Sequence, residues 1–446
     1  MTAIDVTRLP KDPGPAAWNR LLPDPDPPMP LDGKHTADWL VIGAGFAGLA
    51  AARRLSLTCP GDRITILDAT RIGEGPAGRN SGFMIDRPHD LASQDYSGAL
   101  DGDIATTEDN RLAIDFAAEM ADAFGLSEEA FSRSGKINAA ASEKGITHNK
   151  HYASHLDRMD ETYSFLDADE MRALTGSNYY QGGLFTPGTA IVQPAEFIRG
   201  VAAGLKSNRI LLHENSPVTR LERNGAWVAT TPAGHVKAPR VILAVNGHLN
   251  SFGFATDRLM HVFTYASMTR GLTTDEVRRL GGEAVWGVTP ADPMGTTVRR
   301  ISGLGGDRIV IRNRFTFDPE MEVSDQRIAR VGDDHDRAFR ARFPMLPDVD
   351  MQYRWGGRLC VSRNSVQVVE EVDEGLYAAC CQNGLGTTRG TLAGMMAADL
   401  ATGQTSPALS RMTAQAAPKR LPPKPIAQIG AAARLKWGEY RAGREL

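Results

Sequence analysis

Apolar residues fall along the chain in two rhythms, and the change from one to the other marks the elements. Trp39-Leu40-Val41-Ile42 is an unbroken apolar run that stops at glycine, the pattern of a strand buried on both faces of a parallel sheet. Positions 49–55 follow as a helix, and Arg63-Ile64-Thr65-Ile66-Leu67 is a second strand ending on Asp68. Together they predict a strand–helix–strand unit. Farther on, the spacing predicts a helix over 107–123, with Glu108 and Asp109 in its first turn and Leu112, Phe116, Met120 and Phe124 on one face. Shorter helices are predicted over 166–174 and, opened by Pro194, over 194–205. Strands follow at 218–221, 226–230 and 240–244, with a turn near 232–234. From 258 to 318 the pattern reads as short strands. A strand at 377–380, an Ala- and Gly-rich helix over 389–400 and a short helix near 429–440 close the chain. No internal repeat interrupts this order.

Composition narrows the picture. The chain has 446 residues, 42% hydrophobic and 23% charged, which excludes collagen, coiled coil and global disorder. Fifty Lys and Arg against 53 Asp and Glu give a net charge of −3, which argues against a nucleic-acid or anionic-membrane footprint. Cys59, Cys360, Cys380 and Cys381 are too few for a disulfide scaffold and lack zinc spacing, so the reading is a reduced, cytoplasmic protein without a metal. No run of 18 apolar residues predicts a membrane span, and Met1 to Pro10 lacks a secretory core. Eight prolines lie between Pro10 and Pro30. That arm is either a disordered leader or a segment packed on the body through Trp18 and Leu21-Leu22.

The chemistry begins at Gly43-Ala44-Gly45-Phe46-Ala47-Gly48, between the first strand and its helix. Gly43 permits a tight turn, Gly45 lets the backbone approach a pyrophosphate, and Gly48 lets the helix pack on the strand. Phosphates sit on the N–H groups of such a helix start. Asp68 stands 20 residues after Gly48, where a carboxylate accepts hydrogen bonds from a ribose. These features predict dinucleotide binding. A second glycine-rich stretch spans Gly73 to Gly82, and Asn383-Gly384-Leu385-Gly386-Thr387-Thr388 lies between a strand and a helix. Backbone N–H groups there suit an anionic, reduced flavin ring. No second GxGxxG provides an NADPH site.

In this order the motifs resemble the D-amino-acid-oxidase-like family of FAD enzymes, nearest its gamma-glutamylputrescine oxidoreductase and glycine–sarcosine oxidase branch. The resemblance covers roughly 37–403. It rests also on Gly183-Leu184-Phe185-Thr186-Pro187-Gly188, Ala244-Val245-Asn246-Gly247, Asp307-Arg308-Ile309 and Trp355-Gly356-Gly357. It implies an α/β plus β fold, in which a Rossmann-type FAD-binding domain (38–95, 190–255 and 355–403) interleaves with an antiparallel-sheet substrate domain (96–189 and 256–354). The arm (1–37) and a tail with a short helix (404–446) flank them. The implied cofactor is noncovalent FAD. It would be held by Gly43, Ala44, Gly45, Phe46, Ala47, Gly48, Asp68, Ala69, Gly78, Arg79, Asn80, Ser81, Gly82, Met84, Val218, Ala244, Gly247, Gly384, Leu385, Gly386 and Thr387. The implied reaction oxidises a C–N bond of an amine or amino acid by hydride transfer to the flavin. Electrons then pass to O2, giving H2O2, or to a quinone or carrier protein; an electron-relay subunit is the other reading.

Such chemistry needs little acid–base help beyond loss of the substrate's ammonium proton. Asp86 and His89 follow the glycine loop and could take that proton. Tyr265 and Arg270 lie on a segment resembling the pocket floor, and Arg270 could pair a substrate carboxylate. Arg299, Arg300 and Arg312 are further candidates. Val310 stands where some oxidases of the family carry a lysine that promotes reaction with O2. Cys360 lies where some relatives attach flavin covalently, but its spacing from Trp355 favours an inert buried thiol.

Overall fold

The structure is a computed structural model that describes residues 3–88, 93, 97–423 and 425–446. Its centre is a six-stranded sheet in the order Ile210–His213, Ile64–Leu67, Trp39–Ile42, Arg240–Leu243, Leu376–Cys380 and Val368–Asp373. The first five strands are parallel and the last antiparallel. Strands buried on both faces must be covered twice. The helices Phe46–Thr58, Leu100–Ala123, Pro194–Leu205 and Thr388–Ala401 cover one face through a core that includes Leu49, Phe116, Phe197 and Met396. A five-stranded sheet covers the other through Trp227, Leu221 and Val236.

The arm is packed rather than loose. Ala3–Asp5 pairs with Arg220–Asn224 at one edge of that five-stranded sheet, and Gly33–Thr36 pairs with Gly234–Ala238 at the other. Between them Trp18 is fully buried against Ala195, Met268 and Trp355.

An eight-stranded sheet stands beside this body. Its strands Leu259–Thr269, Gly306–Phe317 and Met351–Ser362 have 11, 12 and 12 residues, so the short strands read over 258–318 are too short. A helix, Thr274–Leu280, also interrupts that stretch, capped by Thr273 and Glu276. The helix expected over 107–123 begins earlier, at Leu100, with Asp101 and Asp103 as its first-turn acids. Leu112 faces solvent. Asp103, Thr107 and Asn110 are buried instead. Polar residues on the inner face hid that helix's first two turns from a hydrophobic period. The same applies to Glu143–Arg158 and Asp325–Arg342, whose buried positions include His148, Asn149, His155 and His335.

Candidate cofactor and substrate site

A channel with about 1530 Å3 of empty space, part of it open to solvent, runs between the parallel sheet and the large sheet. Its lining includes Asp68, Ala69 and Val218, then Gly43–Ala47, Arg79 and Asn80, and Thr264, Leu359, Gly384 and Gly386.

The glycines work mechanically. Gly43 has φ +101, and a Cβ there would stand 2.6 Å from the Ala244 carbonyl oxygen. A Cβ on Gly48 would stand 1.7 Å from the Gly43 carbonyl oxygen. Gly45 caps the helix Phe46–Thr58 without a side chain, so the first N–H groups of that helix open onto the channel. Asp68 Oδ2 accepts from the Ala44 N–H at 2.9 Å, and Oδ1 accepts from the Thr70 N–H at 2.9 Å. Burial pushes its carboxyl up from the ordinary value, against the pull of these donors. A carboxylate at the strand end, an uncapped helix start and a long channel fit FAD, for which Asp68 would accept from ribose hydroxyls and the helix start after Gly45 would hold the pyrophosphate.

A second glycine pair repeats the first. A Cβ on Gly78 would stand 1.8 Å from the Gly73 carbonyl oxygen. The loop that follows is sewn down by buried cations. Arg79 donates to the carbonyls of Glu74, Pro13 and Gly14 at 2.7, 2.9 and 2.9 Å and of Gly356 at 3.3 Å. Its role in holding the loop is therefore visible, although it also lines the channel. Arg299 donates to the carbonyls of Ser81 and Val192 at 2.9 and 2.8 Å, and burial pulls its pKa down to about 10. Gly82 leaves room for that guanidinium, since a Cβ would lie 2.1 Å from its Nη1.

Cys381 and Asn383 both hold left-handed backbone beside Gly384. Such strain persists where surroundings over-determine it. Asn383 accepts from the Ser362 N–H and donates to the Val366 carbonyl, both at 2.8 Å. Thr387 Oγ1 donates to the Phe83 carbonyl at 2.6 Å and ties the next helix to the strand Phe83–Met84 that follows the second glycine loop.

Fourteen expected cofactor residues line the channel: Gly43, Ala44, Gly45, Phe46, Ala47, Asp68, Ala69, Arg79, Asn80, Val218, Ala244, Gly247, Gly384 and Gly386. Gly48, Gly78, Ser81, Gly82, Met84, Leu385 and Thr387 shape the loops from behind. The channel also takes in Thr264, Arg358, Leu359, Gln382 and five arm residues that no motif signals.

Leu359 lines both the channel and a larger cleft. Its apolar lining includes Met260, Val262, Phe315 and Phe317 from the large sheet, and the C-terminal helix Ile426–Ala442 borders it. Its titratable lining includes the buried His148, Arg389 and the Lys144–Asp292 ion pair at 2.8 Å.

Three of the four residues expected to act on substrate are absent from the lining of both cavities. Asp86 is fully buried in an ion cluster, 3.6 Å from Arg87 and 3.3 Å from Arg111, with Thr189 Oγ1 donating to it at 3.1 Å. Glu161 completes the cluster, which neutralises the carboxylate and seals it from both cavities. Tyr265 faces Phe263 and Ile328, while its neighbour Thr264 faces the channel. Strand alternation puts successive residues on opposite faces. Arg270 binds Glu276 at the surface through two hydrogen bonds of 2.8 and 2.7 Å. His89 lies outside the described residues. Of the remaining arginines, Arg300 is held by the Gly281 carbonyl and Asp307, and Arg312 stacks on Phe315 at 4.5 Å.

Buried imidazoles give a pH prediction. Burial and nearby Arg358 pull His248 down to about 3 and His261 to about 4; burial pulls His335 to about 3. The unfolded chain binds protons near pH 6.5 at these sites and the folded chain does not. Stability is therefore complete above pH 6.5 and falls as pH drops toward 4 and 3. At pH 5 each group should cost about 2 kcal/mol relative to pH 7.5. Urea midpoints at the two values check this; an equal or higher midpoint at pH 5 refutes it.

Among the described residues no helix is long and apolar enough to cross a membrane. Residues 38–400 match the family model DAO, described as FAD dependent oxidoreductase. The chain is 25% identical to a probable oxidoreductase OrdL of Rhizobium meliloti (strain 1021), over 89% of this chain and 90% of that protein. It is 25% identical to gamma-glutamylputrescine oxidoreductase of Escherichia coli (strain K12), over 84% and 85% of the two chains. The fold is similar to glycine oxidase from Geobacillus kaustophilus, with a TM-score of 0.68 at 18% identity over 84% of this chain and 96% of that one. L-proline dehydrogenase from P.horikoshii gives a TM-score of 0.66 at 17% identity, over 85% and 96%. With its glycine turns, its acidic strand end and a family match across most of its length, the chain belongs to the DAO family of FAD dependent oxidoreductases.

Proposed function

We propose that this chain oxidises a C–N bond of a primary or secondary amine or an amino acid, the resulting imine hydrolysing to a carbonyl. One observation supports the reading: a cleft with a mostly apolar lining, large enough for an organic substrate, shares Leu359 with the FAD channel. The relatives and structural neighbours named glycine oxidase, L-proline dehydrogenase and gamma-glutamylputrescine oxidoreductase share an amine nitrogen in the named substrate. FAD, held noncovalently, supplies the acceptor for the hydride.

The protein's own contribution is position and dryness. Met260, Val262, Phe315, Phe317 and Leu359 give the cleft an apolar floor. Desolvation there disfavours an ammonium and favours the neutral amine, whose lone pair supports the developing iminium. The rim, with His148 and the Lys144–Asp292 pair, offers titratable and charged groups to a polar substrate end.

The electrons then pass to O2 or to a quinone or carrier protein. Val310 is buried against Trp18, Met268 and Trp355, so no cation stands at that place on the strand to promote reaction with O2. The test reduces the enzyme with its best amine and then admits air or a quinone. Rapid reoxidation in air with peroxide makes the chain an oxidase; slow reoxidation in air with rapid turnover on quinone makes it a dehydrogenase. If alcohols or hydroxy acids reduce the enzyme and no amine does, the C–N reading fails.

A further inference from the structure

The family match begins at residue 38, yet the FAD channel is lined from one side by Val6, Arg8, Leu9, Pro10 and Asp12. These residues belong to the arm and share the channel with Gly43–Ala47 and Asp68. The arm is fastened on both sides of that stretch. Before it, Ala3–Asp5 pairs with the five-stranded sheet, and the Val6 and Thr7 N–H groups donate to the Thr219 and Ser251 carbonyls at 2.9 and 3.0 Å. After it, Arg79 holds the carbonyls of Pro13 and Gly14, each at 2.9 Å, and Trp18 Nε1 donates to the Asn80 carbonyl at 2.9 Å. The same arginine and the same loop border the channel. The segment 6–12 is thus a strap drawn across the cofactor site and knotted to the flavin loop.

Asp12 is the chemical anomaly in that strap. Its side chain is only 6% exposed, and among the described residues neither carboxylate oxygen receives a hydrogen bond. Arg358 forms an ion pair with it at 3.5 Å. A buried carboxylate is costly unless donors satisfy it, and buried polar atoms left unmatched point to a missing partner. FAD carries a chain of hydroxyl groups, which are the donors a buried carboxylate needs. We propose that Asp12 is a cofactor-binding residue that accepts hydrogen bonds from FAD hydroxyls, and that the strap must open for FAD to leave. Arg358 and Asp12 both line the channel, and their ion pair holds the strap's carboxylate at its wall.

Two measurements test this without reading enzyme turnover. The first is the rate of FAD release on dilution, followed by the rise of free-flavin fluorescence. Asp12→Ala should release FAD roughly 10- to 100-fold faster, the range expected for lost hydrogen bonds to a charged group. Asp12→Asn keeps an acceptor without the charge and should recover part of that loss. If Asp12 serves only to neutralise Arg358, the Asn and Ala variants will release FAD equally fast, and the cofactor role is overturned. Release within twofold of the unmodified chain in Asp12→Ala overturns it as well.

The second measurement uses the unmodified chain, so a folding defect in a variant cannot obscure it. Lys11 has a side chain 73% exposed beside the buried Asp12. Trypsin cleavage after Arg8 and Lys11, read by mass spectrometry, should be at least tenfold slower with FAD bound than after FAD is stripped. Equal cleavage in the two states means the strap does not close over the cofactor.

Discussion

Replacing Gly48 by alanine is expected to remove FAD from the protein and to destabilise the chain itself. The new Cβ would stand 1.7 Å from the Gly43 carbonyl oxygen, and the Gly43 carbonyl carbon is 2.9 Å away. Both are backbone atoms of a turn that Gly43 holds at φ +101 against the Ala244 carbonyl. Nothing flexible can yield, so helix and strand must part. Overpacking a tight core costs about 1–3 kcal/mol, and a backbone contact this short belongs at or above the top of that range. Gly45→Ala separates the two effects. Its Cβ would touch only the Ala77 Cβ, at 3.4 Å, so the chain should keep its stability and lose affinity for FAD alone. Urea unfolding and the flavin-to-protein ratio measure both. A Gly48→Ala protein with full flavin and a stability within about 0.5 kcal/mol of the original would show that this turn does not cradle the cofactor.

Asp68→Ala should weaken FAD binding roughly 10- to 100-fold, the loss of hydrogen bonds to a charged group. The carboxylate lines the channel while its oxygens fasten the Ala44 and Thr70 N–H groups. Alanine therefore removes both a ribose acceptor and the clamp on the glycine turn. Asp68→Asn keeps the volume and one acceptor, so its loss should be smaller. An unchanged dissociation constant in Asp68→Ala would place the ribose elsewhere.

The cofactor half of the site was legible because its chemistry is local. Gly43, Gly45, Gly48 and Asp68 lie within one strand–helix–strand unit, and Gly48 answers a contact with the backbone of Gly43, five residues earlier. The substrate half is assembled from distant segments. Thr264 rather than Tyr265 faces the channel because of strand parity, and the register against Met351–Ser362 and Gly306–Phe317, with a bulge between Thr264 and Tyr265, sets that parity. Asp86 reads as a base beside the glycine loop. Its partners Arg111, Glu161 and Thr189 come from far along the chain and bury it. Arg299, one of an arginine pair that usually signals a solvated face, is a fully buried staple for Ser81 and Val192. The arm's contribution to the channel escaped because proline-rich sequence carries no period, and its partners, such as Arg79, Thr219 and Arg358, lie far along the chain.

The claim that an amine passes a hydride to the flavin is tested most directly by anaerobic reduction with an amine deuterated at the reacting carbon. The oxidised-flavin absorbance should bleach and the rate should rise with pH as the substrate ammonium loses its proton, because a protonated nitrogen has no lone pair to expel hydride. The deuterated amine should reduce the flavin more slowly than its hydrogen counterpart. A flavin that no amine or amino acid bleaches at any pH, or one that bleaches only with alcohols or hydroxy acids, would contradict it.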